Sequence, residues 1–148
     1  MRNEKLKNIL DEDMAKASGD KKSVLKSIWA VMAGFLTVVV LSIATDALLE
    51  GFGILPPASR PDQYVSWMLF VALIYRLAYN IVGGYVTAYL APSNPMKHVK
   101  ILAIFGTIGG VMGVIFGWNI SENWYPIALA AASYPTVMFG GKLRIKKV

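Results

Sequence analysis

Four long apolar runs joined by short links constrain this chain more than any other feature of its sequence. They are Ser27–Leu49, Tyr64–Leu90, His98–Trp118 and Trp124 to about Gly141. A bilayer's hydrocarbon core is about 30 Å thick and needs roughly 20 helical residues per crossing. In lipid every backbone N–H and C=O must find an internal partner, so runs of this length fold as helices. The expected fold class is therefore all-α, a polytopic four-transmembrane-helix bundle over residues 24–148. Charged residues make up only 16% of the 148, where soluble domains carry about 25%. Pro135 stands inside the fourth run, where a kink is expected with neighbouring helices satisfying the freed backbone groups.

The flanking charges orient the chain. Arg2, Lys5, Lys7, Lys16, Lys21, Lys22 and Lys26 precede the first run. Lys97 and Lys100 stand between the second and third, and Lys142, Arg144, Lys146 and Lys147 close the sequence. The two opposite loops hold only Arg60. The positive-inside rule then places both termini and the middle loop in the cytoplasm. Trp67, Trp118, Trp124 and Tyr125 fall at the opposite boundary and Trp29 at the cytoplasmic one, where amphipathic rings prefer to sit.

The net charge of +6 is thereby read as topogenic, lying against anionic lipid headgroups. No nucleic-acid-binding signature accompanies it. The absence of cysteine excludes disulfides, thiolate nucleophiles and cysteine metal sites. Ser42-Ile43-Ala44 imitates a signal-peptide cleavage site. The long polar stretch before it and the apolar Ala47-Leu48-Leu49 after it favour an uncleaved first helix. Asn119-Ile120-Ser121 matches the glycosylation sequon, but it sits in a very short boundary loop and is read as chance.

Residues 1–23 form a cytoplasmic tail. Leu6, Ile9, Leu10 and Met14 recur at helical spacing, which gives either a short amphipathic helix on the membrane surface or a frayed terminus. Ala17-Ser18-Gly19-Asp20 is the expected break before the first span.

Small residues dominate the third run. Gly106 and Gly110 are four apart, as are Gly109, Gly113 and Gly117. Such ridges let helix backbones approach closely, which holds helices together where lipid supplies no hydrophobic drive. The expected facing surfaces are Gly83-Gly84 or Ala130-Ala131-Ala132, with the same face of a second copy, a homodimer, as the other candidate. Gly83-Gly84 and Gly140-Gly141, preceded by Tyr79 and Tyr134, also raise a weak repeat of two tandem helical hairpins.

One charged residue lies within the second run. A centred arginine costs about 2.5–3.5 kcal/mol on insertion scales and 10–17 in simulation, so Arg76 demands a partner. Asp46 lies roughly 8 Å further out along the neighbouring helix at 1.5 Å per residue, within reach of a long side chain. An Asp46–Arg76 ion pair is therefore expected, with Glu50 as second candidate partner. Tyr79, Asn80, Gly83 and Thr87 continue one polar-to-small face from Arg76, and Tyr75 adjoins it. This intramembrane polar cluster has two readings: a strut that fixes helix packing, or a solute or proton site. His98, beside Lys97 and Lys100, is expected to contact headgroups. Pro56, Pro57 and Pro61 make the first outer loop a stiff extended connector, which with Phe52 and Ile54 could instead cap the cluster. No catalytic or metal-binding motif is present, so neither an enzyme nor a cofactor is expected.

The segments "SIATDALL" and "GGYVTAYLAP", the Tyr75, Arg76 and Tyr79 pattern and the closing "GGKLR" resemble small four-helix integral membrane proteins of bacteria. The resemblance covers about residues 27–144. It implies a bacterial cytoplasmic membrane and the Asp46 and Arg76 positions, and it carries over no mechanism. The leading expectation is a non-enzymatic structural or interaction component with an unidentified protein partner. The alternative is a small oligomeric transporter or channel around Asp46 and Arg76, its pathway completed by a second copy.

Overall fold

The computed structural model describes residues 1–118 and 122–147. Asn119-Ile120-Ser121, the sequon match, lies outside the described residues. The chain is all-helical: α1 (Arg2–Gly51), α2 (Ser66–Leu90), α3 (Pro95–Gly117) and α4 (Trp124–Lys146), with one 3-10 turn at Pro61–Gln63. The first three helices are long and apolar enough to cross a membrane. α4, at 23 residues, matches α3 in length, but its final turns carry Lys142, Arg144 and Lys146.

α1 corrects the expected boundary of the tail. Its 50 residues form one helix with no break at Ala17–Asp20. A glycine inside a helix costs only about 1 kcal/mol, and the surrounding Ala and Lys residues are strong helix formers. Extending an existing helix is also far easier than nucleating a new one. At 1.5 Å per residue α1 is about 75 Å long, and residues 1–26 are all exposed. The stripe of Leu6, Ile9, Leu10 and Met14 is helical, the first of the two alternatives for the tail, but lies uncovered.

Glycine sets how the helices cross. α2 and α4 run parallel and meet through reciprocal contacts. A methyl group added at Gly84 would strike the Val137 carbonyl, and one at Gly140 would strike the Ile81 carbonyl. Each glycine thus packs on the residue three positions before the other, which gives the pair a local two-fold relation. This is the one respect in which the two Gly-Gly steps correspond. α1 packs antiparallel on α2, where Gly34 faces Gly83 and Thr87. α3 packs antiparallel on α4, where Gly110 faces Ala130 and Val99 faces Gly141.

Of the third run's glycines, only Gly110 meets a neighbour. Nothing lies within 4 Å of a Cβ built at Gly106, Gly109, Gly113 or Gly117, so the expected flat ridge is not an internal contact surface. Gly83 and Gly84 face α1 and α4 instead. The reason lies in the divergence of α1 and α3. The two touch where Gly34 approaches Leu102, then separate towards the end that carries the 52–65 loop.

The core sits at the opposite end, which carries the 91–94 loop and the chain termini. Ala88, Val99, Leu102, Ala103 and Val137 are buried there, with Val31, Tyr134 and Met138 packed around them. His98 is buried beside them, its Nδ1 3.3 Å from the Asn94 carbonyl oxygen, which corrects the expected headgroup contact. Pro95 opens α3 three residues earlier than expected, so that His98 and Val99 stand within the helix and are buried. Pro135 leaves α4 a single helix, where the Thr136 hydroxyl donates to the Ala132 carbonyl at 2.7 Å. Elsewhere the outward faces are apolar, with Trp29, Phe105, Ile115 and Phe116 exposed. That pattern is compatible with a membrane protein.

The 52–65 loop is folded rather than extended. Gly53 takes the left-handed φ of +69°, Leu55 is buried, and Pro61 starts the 3-10 turn, where its fixed φ is pre-organised. The Tyr64 hydroxyl donates to the Pro56 carbonyl at 3.0 Å.

Candidate functional site

The antiparallel crossing of α1 and α2 brings Asp46 level with Arg76. Arg76 Nη2 donates to Asp46 Oδ2 at 2.7 Å. The Tyr75 hydroxyl donates to Oδ1 of the same carboxylate, so both carboxylate oxygens are engaged. One turn further along, the Tyr79 and Thr45 hydroxyls share a hydrogen bond of 2.7 Å. Asn80 turns towards α4 and donates to the Ser133 hydroxyl at 3.3 Å. Tyr75 and Tyr79 stack at a tilt with ring centroids 5.8 Å apart. Arg76 lies 5.9 Å from the Tyr75 ring centre, within the range of cation–π attraction.

The expected ion pair therefore forms, and Asp46, Arg76, Tyr79 and Asn80 lie along one stretch of α1–α2–α4 contacts. Glu50 does not share in it. Its Oε1 accepts the Ala58 backbone N–H at 2.9 Å and ties down the loop, because one turn past Asp46 it already faces the chain reversal.

The pair is not enclosed between helices. The Arg76 and Asp46 side chains are 32% and 30% exposed, and both line a cavity of about 490 Å³. α1 contributes Phe35, Val38, Val39, Ser42, Ile43 and Asp46, and α2 contributes Arg76 and Asn80. α3 contributes Leu102, Phe105, Gly106, Gly109, Gly110 and Gly113, and α4 contributes Tyr125, Pro126, Leu129, Ser133 and Val137. Leu102 and Val137 also belong to the core, so the cavity ends where the core begins. Gly106, Gly109 and Gly113 thus contribute empty volume to the cavity. Gly117 lies beyond it.

Hydrogen-bonding capacity at the site is lopsided. A guanidinium has five N–H donors; in Arg76 one serves Asp46, and Nε is buried without a partner. The Asp46 carboxylate has a smaller surplus, with two of its roughly four lone-pair sites engaged, one on each oxygen. The site is therefore rich in unused donors inside largely apolar walls, the usual make-up of a small-molecule pocket of about 300–1,000 Å³.

Tyr125, Ser133, Thr45 and Ser42 were not singled out in the sequence as site residues. The signal for two of them was present: Tyr125, Leu129, Ser133 and Val137 recur every four residues and share one face of α4. Among the described residues no group of three or more His, Asp or Glu could hold a metal ion. Comparison with known families, curated proteins and solved structures found no match.

Proposed function

We propose that this chain is a multi-pass protein of the bacterial cytoplasmic membrane, with both termini cytoplasmic, that binds a small ligand in the cleft beside Asp46 and Arg76. It acts as a non-enzymatic binding component. The observation that carries the reading is the ion pair's position on the wall of a cavity. A pure strut has no use for a cavity beside it.

α4 is the fourth span in this reading although its composition is less apolar. Its small and polar residues, Ala130, Ser133, Gly140 and Gly141, are buried in protein, where lipid does not penalise them. The Lys and Arg distribution supports the orientation and contact with anionic headgroups. One chain builds the whole cavity, so the reading requires no second copy.

The transporter alternative starts from the same cavity and needs the cytoplasmic half to open. The close crossings of Gly84 on Val137 and Gly140 on Ile81 argue for a closed-ended site and against a continuous channel.

The test extracts the protein from native membranes with its surrounding lipid and identifies bound small molecules by mass spectrometry. Gly109→Leu fills the cavity, whereas Gly117→Leu adds the same atoms outside it. The reading expects one species, near one per chain, that is lost in Gly109→Leu and kept in Gly117→Leu. Identical bound species in both variants would refute it.

A further inference from the structure

We infer that the ligand is an anionic phospholipid of the bilayer, with one acyl chain in the cleft and its phosphate oxygens on Arg76. The inference rests on the reading of the cleft as a ligand site and adds the ligand's chemistry.

Three observations lead to it. The cleft opens sideways, between α1 and α3. Ile43 on α1 and Phe105 on α3 line it and are themselves exposed, so its mouth is continuous with the apolar outer faces of the helices. A polar solute has no wet route through such an opening, but a lipid chain already lies against it. The cavity's depth is apolar: Gly106, Gly109 and Gly113 leave it open along α3, and Leu102 and Val137 close its end. That shape suits a chain.

The polar end decides the headgroup. Asp46 has both oxygens engaged by Tyr75 and Arg76, and its charge is already paired with the guanidinium, so its pull on an ammonium group is reduced. Arg76 spends one of its five N–H donors on Asp46 and lines the cavity, so its guanidinium keeps donors to offer there. Unused donors of a cation call for acceptor oxygens, and a phosphate supplies them without needing any in return. A phosphodiester with one negative charge fits best, because Asp46 repels a second charge.

Asp46 therefore positions Arg76 while opposing the ligand. That yields an unusual expectation: Asp46→Asn strengthens binding. Coulomb's law at about 6 Å gives a gain of roughly threefold in a water-like dielectric and more in a drier one.

The test titrates delipidated protein in a nonionic detergent with phosphatidylglycerol, or with phosphatidylcholine of the same chains, and reads bound lipid by native mass spectrometry. One phosphatidylglycerol is expected to bind per chain in preference to phosphatidylcholine. Gly109→Leu is expected to weaken it by about tenfold, within the range for inserting methylenes into occupied space, and Gly117→Leu to match the parent. The uncharged double variant Asp46→Asn/Arg76→Gln should bind both lipids alike, which keeps the headgroup test open if a single charge variant fails to fold. Equal binding by the two glycine variants would mean that lipid only coats the surface, and would overturn the inference. A parent that binds both lipids alike would overturn it too. If Gly109→Leu sheds a species from native membranes that is not an anionic lipid, the binding reading stands and this inference falls. If neither assay depends on Gly109, both fall.

Discussion

Gly84→Ala tests the packing on which the cavity depends. The added methyl group meets the Val137 carbonyl of α4 at a distance no real contact shows. The obstacle is backbone, so no side chain can rotate away and α2 and α4 must part. A separation of about 0.5–1 Å forfeits a quarter to a half of each contact's attraction, and overpacking of this kind costs about 1–3 kcal/mol. Opposing it, Ala is about 1 kcal/mol better than Gly inside a helix. The net expectation is a loss of up to about 2 kcal/mol. Gly113→Ala is the internal control. Nothing lies within 4 Å of its new methyl group, so only the helix-propensity gain of about 1 kcal/mol remains. The two variants should move in opposite directions in a reversible unfolding titration with a denaturing detergent, because both make the same chemical change. If Gly84→Ala proves as stable as Gly113→Ala, α2 and α4 do not cross through Gly84, and the closed half of the bundle around the core is wrong.

Three further outcomes follow from the same contacts. Arg76→Met and Asp46→Asn should each lower stability by about 1–3 kcal/mol, below the 3–5 of a fully buried pair because both side chains are partly exposed; the double variant should recover most of it, and a double-mutant cycle without coupling would remove the pair's structural role. Ser133→Ala should cost about 0.6 kcal/mol through the lost Asn80 bond, a typical interhelical value in membranes, measured in the same titration. Glu122 accepts hydrogen bonds from the Ser66 hydroxyl and the Trp124 indole, which hold its carboxyl below the usual carboxylate range. Its stabilising effect is therefore present above the ordinary carboxylate pKa and is lost as pH falls through the lowered folded value. Ser66→Ala should move its NMR titration midpoint upward, and an unchanged midpoint would show that the α2–α4 link at this end does not form.

The polar pair was legible in the sequence because an apolar run leaves a charged side chain few partners. Arg76 needed a carboxylate in reach, and Asp46 was the one at the right depth on a neighbouring helix. Helix number and type were legible for a similar reason, since about 20 apolar residues have few ways to satisfy their backbone. For the tail, the spacing of Leu6, Ile9, Leu10 and Met14 left a helix and a frayed terminus both open. Its continuity with α1 was not legible, because a glycine's local penalty is easily outweighed by propagation from a helix already formed.

Other features were decided only in three dimensions. A Gly-xxx-Gly ridge says that something can come close and does not say what. Gly110 met Ala130 while Gly106, Gly109 and Gly113 met nothing, because α1 and α3 diverge from their contact at Gly34 and Leu102. Gly34 sets the crossing of α1 on α2 and carries no mark in the sequence that separates it from an ordinary helix glycine, while the Gly140-Gly141 step did not say which helix it meets. The cavity itself has no linear signature. It arises where four helices, each legible alone, fail to meet. Spacing along one helix fixes which residues share a face, but the angle at which two helices cross depends on contacts from both.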